Sequence, residues 1–151
     1  MPHFMIVTSP YYEEISTYLL EGVTAFLSEK RATYEVFEVP GALEIPLTIK
    51  LGIMREESRG TSTRNFDGFI ALGCVIRGET SHYDIVCGES ARGLSQLSLD
   101  YNVPIGNGIL TCDTKDQAIK RADPKQKNKG RDAASAAYEL YEIKRDFKII
   151  D

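Results

Sequence analysis

"FDGFIALGCVIRGETSHYDIV", residues 66–86, changes character in its middle. Residues 66–76 are apolar almost throughout, as a parallel strand covered on both faces should be. At Arg77 the run stops, Gly78 lets the chain turn, and from residue 81 apolar side chains return at helical spacing. A buried strand that hands over to a polar helix start is the unit from which open α/β sheets build ligand crevices at their carboxyl edge. The hand-over, "RGETSH" (77–82), brings a guanidinium, hydroxyls and one of the chain's two histidines together.

The same alternation extends in both directions. "HFMIVTS" (3–9) reads as a short strand closed by Ser-Pro, and Ile15, Leu19, Gly22, Val23 and Phe26 share one face of a helix over 12–30. "TYEVFEVP" (33–40) alternates as a strand until Pro40-Gly41 ends it. "ALEIPLTIKLGIMREE" reads as a helix from about Glu44, where Pro46 falls in the first turn and is tolerated. "SRGTSTRN" (58–65) reads as an exposed loop. Ile85, Ala91, Leu94, Leu97 and Tyr101 mark a helix over 81–101, and "VPIGNGILTC" (103–112) is the fourth strand. A short helix is predicted from about Thr114 to Ala122 with Asp113 as N-cap, and a last one over 131–145 using Ala133, Ala136, Ala137 and Leu140. This order predicts an α/β fold: a three-layer α/β/α sandwich on a four-stranded parallel sheet, flavodoxin-like, as one domain over 1–151.

Composition narrows the function classes. A chain of 151 residues can bury a core without disulfides or metals. Its net charge of -4 argues against nucleic acid or anionic membrane as a partner. Basic residues crowd 115–131, where a solvated face with one or two anion ligands is expected. The three cysteines form no CxxC pair and are expected to be reduced. "MPHFMIVTSP" does not read as a signal peptide, and no apolar stretch is long enough to span a bilayer, so a cytoplasmic protein is expected. Two distant histidines, with no paired cysteine or carboxylate spacing, predict no metal site. Neither GxxxxGK[ST], GxGxxG nor GxSxG occurs.

Four segments follow the four strands: "SPYYEE", "PGALEIP", "RGETSH" and "CDTK". Tyr11 and Tyr12 are either a helix-entry staple or a wall for a flat ring. Glu44, near a helix start, either serves the helix dipole or accepts hydrogen bonds from ligand hydroxyls and amines. Amides and hydroxyls at Glu79, Thr80 and Ser81 suit a phosphate. His82, in the first helical turn, is either a hydrogen-bonded structural residue or a candidate for general acid–base work near neutrality. These residues alone point to an α/β domain that binds a flat, phosphorylated or polyhydroxy small molecule, with an enzyme favoured over a binding module.

The segments "VPGALEIP", "LGCVIRGETSHYDIV" and "NKGRDAASAAYEL", in this order, resemble the lumazine synthase family. The resemblance implies condensation of 5-amino-6-(D-ribitylamino)uracil with 3,4-dihydroxy-2-butanone 4-phosphate, releasing phosphate and water, without cofactor or metal. By matched position, Tyr11 takes the place of the aromatic that stacks on the pyrimidine. Gly41, Ala42 and Glu44 would hold the ribityl chain, and Cys74, Val75 and Ile76 would border the heterocycle. Glu79 and Thr80 match the phosphate-side backbone, His82 the proton-transfer histidine, Arg121 the phosphate-binding arginine, and Lys129 the lysine of "NKG". Asn107 stands where many members carry Phe, and Pro10-Tyr11-Tyr12 replaces the more usual Arg-Phe-Asn type of segment. The family forms homo-pentamers with sites shared between subunits, some packed as 60-subunit shells. The short stretch before the first strand and the glycine-poor link "RADPKQKNKG" favour a free pentamer here. The alternatives are a flavin- or lumazine-binding carrier of the same fold and, from sheet order alone, an electron carrier or receiver domain.

Overall fold

The first strand, β1 (His3–Thr8), is buried at every position, so it must have a strand on each side and helices over both faces. In the computed structural model, which describes residues 1–55 and 64–149, it does. β2 (Thr33–Glu38) and β3 (Gly68–Ile76) flank it in parallel, and β4 (Ile105–Cys112) pairs in parallel with β3, giving the order β2-β1-β3-β4. Ile6 stands opposite Val36 on one side and Ile70 on the other.

Alternate side chains of these strands feed two separate cores. Phe4, Ile6, Ile70, Leu72 and Leu110 pack under α1 (Glu13–Glu29), α4 (Lys115–Ala122) and α5 (Lys129–Asp146). Met5, Val7, Phe69 and Ala71 pack under α2 (Ile45–Met54) and α3 (His82–Tyr101). The fold is therefore the expected three-layer sandwich, with the flavodoxin-like sheet order. All five α1 positions expected on its inner face are buried. Pro46 lies in the first turn of α2, directly after a 3-10 turn at Ala42–Glu44.

Three local expectations need correction. The inner face of α3 is Val86, Ser90, Leu94 and Leu97, while Ile85, Ala91 and Tyr101 are exposed. Ser90 escapes a search for apolar periodicity, yet it can be buried because its hydroxyl donates to the Val86 carbonyl at 2.7 Å. In α5 the buried positions are Gly130, Ala133, Ala134 and Ala137, whereas Ala136 and Leu140 are exposed. That helix lies directly on the backbone of β4: a Cβ at Gly106 would run into the carbonyl of Ala133, which leaves no room for large side chains. Finally, Thr114, not Asp113, caps α4. Its hydroxyl accepts from the Gln117 N–H at 3.2 Å, and Gln117 reaches back to the cap in a capping box. Residues 58–63 of the predicted loop, and 56–57 at the end of the predicted second helix, lie outside the described residues.

Candidate active site

The turns after β1, β2 and β3 meet at the carboxyl edge of the sheet, and a concavity of about 390 Å³ opens between them. Tyr11 and Tyr12 form one wall, Gly41, Ala42 and Glu44 a second, and the end of β3, Cys74, Val75 and Ile76, the floor. His82, the first residue of α3, closes the far side. The two tyrosine rings meet edge to face, 4.9 Å between centroids. Tyr12 packs on the core, and its burial raises its phenol above the ordinary range, with the Cys74 thiol adding to the shift. Tyr11 is 77% exposed, so its face is available for stacking on a ligand. Burial also pushes the Cys74 thiol up to about 12, which makes this residue an inert part of the floor.

The loop from β3 to α3 carries Gly78, Glu79, Thr80 and Ser81, all exposed, beside that concavity. The N-cap of α3, Ser81, makes no side-chain capping bond; instead the Thr80 hydroxyl accepts from the His82 N–H at 3.3 Å. Arg77 does not point a spare guanidinium into this loop. Its Nε donates to Asp113 at 2.9 Å, an Nη lies 3.7 Å from Asp84, and the group stacks 4.3 Å from the Tyr83 ring centroid. The guanidinium of "RGETSH" is thus committed to two carboxylates.

Arg121 and Lys129 lie elsewhere. With Asn107, Gly108 and Thr111 of β4 and Asp132 and Ala136 of α5 they line a second concavity, of about 350 Å³, on the outer flank of the edge strand β4. Arg121, near the end of α4, is half-buried and donates to the Gln117 carbonyl at 3.1 Å, while Lys129 pairs with Asp132 at 3.2 Å. Asn107 is exposed, and its side-chain oxygen accepts from the Ile109 N–H at 2.9 Å. Within one chain the expected residues, apart from Glu79 and Thr80, which line neither concavity, therefore fall into two groups. The first holds rings, carboxylate and imidazole; the second holds the cations. Among the described residues, no group of three or more His, Cys, Asp or Glu is placed to hold a metal ion, and no helix is long and apolar enough to cross a membrane.

Comparison with known proteins matches residues 2–145 to the model of the family described as 6,7-dimethyl-8-ribityllumazine synthase. The chain belongs to that family. Among proteins carrying its name, that of Methylocella silvestris is 50% identical over 95% of this chain and 85% of its own length. That of Agrobacterium fabrum is 46% identical over 95% of both chains. A protein of Rhodopseudomonas palustris called 6,7-dimethyl-8-ribityllumazine synthase 1 is 48% identical over 93% of this chain and 85% of its own.

Two residues of the lumazine synthase motif "NKG" serve the fold rather than a ligand. Asn128 stands at the N-cap position of α5 in the left-handed conformation, φ 50, without a side-chain capping bond, and its side-chain oxygen sits over Gly22 of α1. Gly130 lies against the Leu19 carbonyl, where a Cβ has no room. Three further carboxylates also matter: Asp113 and Asp84 hold Arg77, and Asp123 ties the link before α5 by accepting from Lys125 N–H at 2.9 Å. Only Asp123, directly before Pro124, carries a readable turn signal.

Proposed function

We propose that the chain makes 6,7-dimethyl-8-ribityllumazine from 5-amino-6-(D-ribitylamino)uracil and 3,4-dihydroxy-2-butanone 4-phosphate, as a soluble cytoplasmic enzyme of riboflavin biosynthesis. The observation that supports this reading is the placement of Tyr11, Glu44 and His82 in one concavity and of Asn107, Arg121 and Lys129 in another. In a ring of subunits, the first concavity of one chain would be completed by the second concavity of its neighbour.

The chemistry fits such a composite pocket. Tyr11 stacks on the pyrimidine, the Gly41–Ala42 backbone and Glu44 hold the ribityl hydroxyls, and Cys74, Val75 and Ile76 exclude water below the ring. The primary amine of the pyrimidine adds to the ketone and water leaves to give an imine, phosphate is eliminated, and the ribitylamino nitrogen closes the ring on the remaining carbonyl with loss of a second water. His82 moves protons in these steps. The Glu79–Thr80 segment and the neighbour's Arg121 hold the phosphate dianion and stabilise it as it leaves, with Lys129 adding positive charge. Holding the two substrates face to face supplies much of the rate.

A homo-pentamer is the assembly we favour. Leu43, Leu47, Leu51 and Met54 run down the outer face of the 3-10 turn and α2 at helical spacing and are all exposed, a stripe too apolar to be left to water. The purified protein should give the absorbance and fluorescence of lumazine when both substrates are added. Sharing is tested by co-assembling His82→Ala and Arg121→Ala chains. Each alone is impaired, and random mixing rebuilds about one site in four. No gain on mixing refutes the shared site, and a light-scattering mass near sixty chains refutes the free pentamer.

A further inference from the structure

The β3–α3 loop presents Glu79, Thr80 and His82, yet nothing buries it. Residues 77–82 are all exposed, and a Cβ at Gly78 would meet nothing within 4 Å. The helix that follows has no side-chain bond from its N-cap residue. A loop with so little packing is free to fluctuate unless a specific tether holds it. Arg77 is that tether in this chain. Its backbone N–H donates to the Cys112 carbonyl at 2.9 Å, continuing the β3–β4 ladder by one residue. Its side chain then spans the loop, reaching Asp113 beyond β4, Asp84 in the first turn of α3, and the face of Tyr83. Asp113 is itself fixed, because its N–H donates to the Gln117 side chain at 2.8 Å. The start of α3 is therefore fastened to the start of α4 through one planar guanidinium.

We infer that Arg77 is a positioning residue: it holds the β3–α3 loop in the shape that presents Glu79, Thr80 and His82 to the phosphorylated substrate. This rests on the function proposed above. The ion pairs themselves add little to stability, since Arg77 and both carboxylates are about half exposed or more. Their effect is geometric, and displacement of a reacting group by about 1 Å can lower a rate by roughly 100-fold. Lysine is a poor substitute, because it keeps the charge but loses the fork and the flat face that stacks on Tyr83.

Steady-state kinetics with each substrate varied in turn, together with hydrogen exchange of residues 78–82, test the inference. Arg77→Ala is expected to lower kcat/KM for the phosphorylated butanone by about 10- to 100-fold. KM for the pyrimidine should stay within about twofold, and the unfolding midpoint should hardly move. Arg77→Lys should recover only a small part. Asp113→Asn should reproduce part of the loss and add nothing to Arg77→Ala in the double variant. Amides 78–82 should exchange faster in Arg77→Ala while the sheet is unchanged. Unchanged kcat/KM and exchange, or equal damage to both substrates with a lowered midpoint, overturns the positioning role. If the wild-type protein makes no lumazine, the functional reading fails on its own, and the exchange experiment still decides whether Arg77 holds the loop.

Discussion

Gly106→Ala is the substitution whose effect the fold specifies most sharply. An added Cβ would overlap the Ala133 carbonyl oxygen, stand 2.8 Å from its carbon, and lie 3.3 Å from the Ala137 Cβ. The first two neighbours are backbone, so no rotamer change relieves the contact, and either α5 or β4 must shift. Overpacking a core costs about 1–3 kcal/mol, and obstruction by a helix backbone belongs at the top of that range. The loss of chain freedom in the unfolded state on replacing glycine returns about 0.4–1 kcal/mol. The net expectation is a loss of about 2 kcal/mol, or roughly 4–8 °C in Tm for a chain of this size.

A control comes from the same residue type. Gly88 lies in the middle of α3, where an added Cβ meets nothing within 4 Å. Gly88→Ala should therefore stabilise by about 0.5–1 kcal/mol, the difference in helix propensity. Urea denaturation of both variants at one protein concentration, so that assembly does not confound the midpoints, gives the comparison. β4 and α5 also carry Asn107 and Lys129, so Gly106→Ala should lose activity beyond its loss of folded protein. A Gly106→Ala protein within about 0.5 kcal/mol of wild type would refute the direct seating of α5 on β4.

Glu35 accepts two bonds from Arg55, at 3.2 and 2.8 Å, and lies 2.7 Å from His3; the Arg55 bonds chiefly lower its pKa from 4.5 to about 2. A carboxylate held low stabilises the fold above its ordinary pKa, and that stability drains away as pH falls from about 4.5 to about 2. Full shelter would make the pair worth about 3 kcal/mol, but Glu35 is 38% exposed, which reduces the expectation to about 1 kcal/mol. Glu35→Gln should flatten urea stability across that pH window, and an unchanged slope refutes the assignment. Cys74 should resist iodoacetamide at pH 8 in the folded protein and react once urea unfolds it; rapid labelling of native protein, read by peptide mass, contradicts its burial. His82→Ala should slow lumazine formation by about 10- to 100-fold yet leave measurable turnover, since positioning carries much of the rate. Arg121→Ala should lower kcat/KM for the phosphorylated substrate further, and the reverse ranking refutes the division of roles.

The fold was legible because its strongest signals are local. An unbroken apolar run at 66–76, strands alternating with helical periods, and a proline that only a first turn tolerates each have one simple reading. The errors have two physical origins: hydroxyl bonds within a helix, which apolar periodicity does not register, and contacts between distant residues. Ser90 is buried because its hydroxyl bonds within its own helix, and Leu140 is exposed because α5 meets β4 through small residues alone. The α4 cap was readable: Thr114 followed three residues later by Gln117 is a capping-box pattern, which Asp113 one position earlier obscured. The role of Arg77 was not readable, because both of its carboxylates are fixed by tertiary geometry rather than by spacing.

The sheet order also bears on how a complete site can arise. With β1 and β3 central, the turns after β1, β2 and β3 open on one concavity, while β4 is an edge whose outer flank carries the other. His82 and Arg121 line separate concavities of one chain. On the proposed reading the union must be between chains, and the two surfaces that meet are different patches of the same molecule. Such a contact is heterologous when it passes from each subunit to the next in one direction, and isologous when a two-fold makes it reciprocal. A one-directional contact closes as a ring or grows as a filament, whereas a two-fold would build the same pocket twice across one interface. On the proposed reading the positions of Arg121 and His82 call for a neighbouring chain, and the ring we favour is the closed form of a one-directional contact.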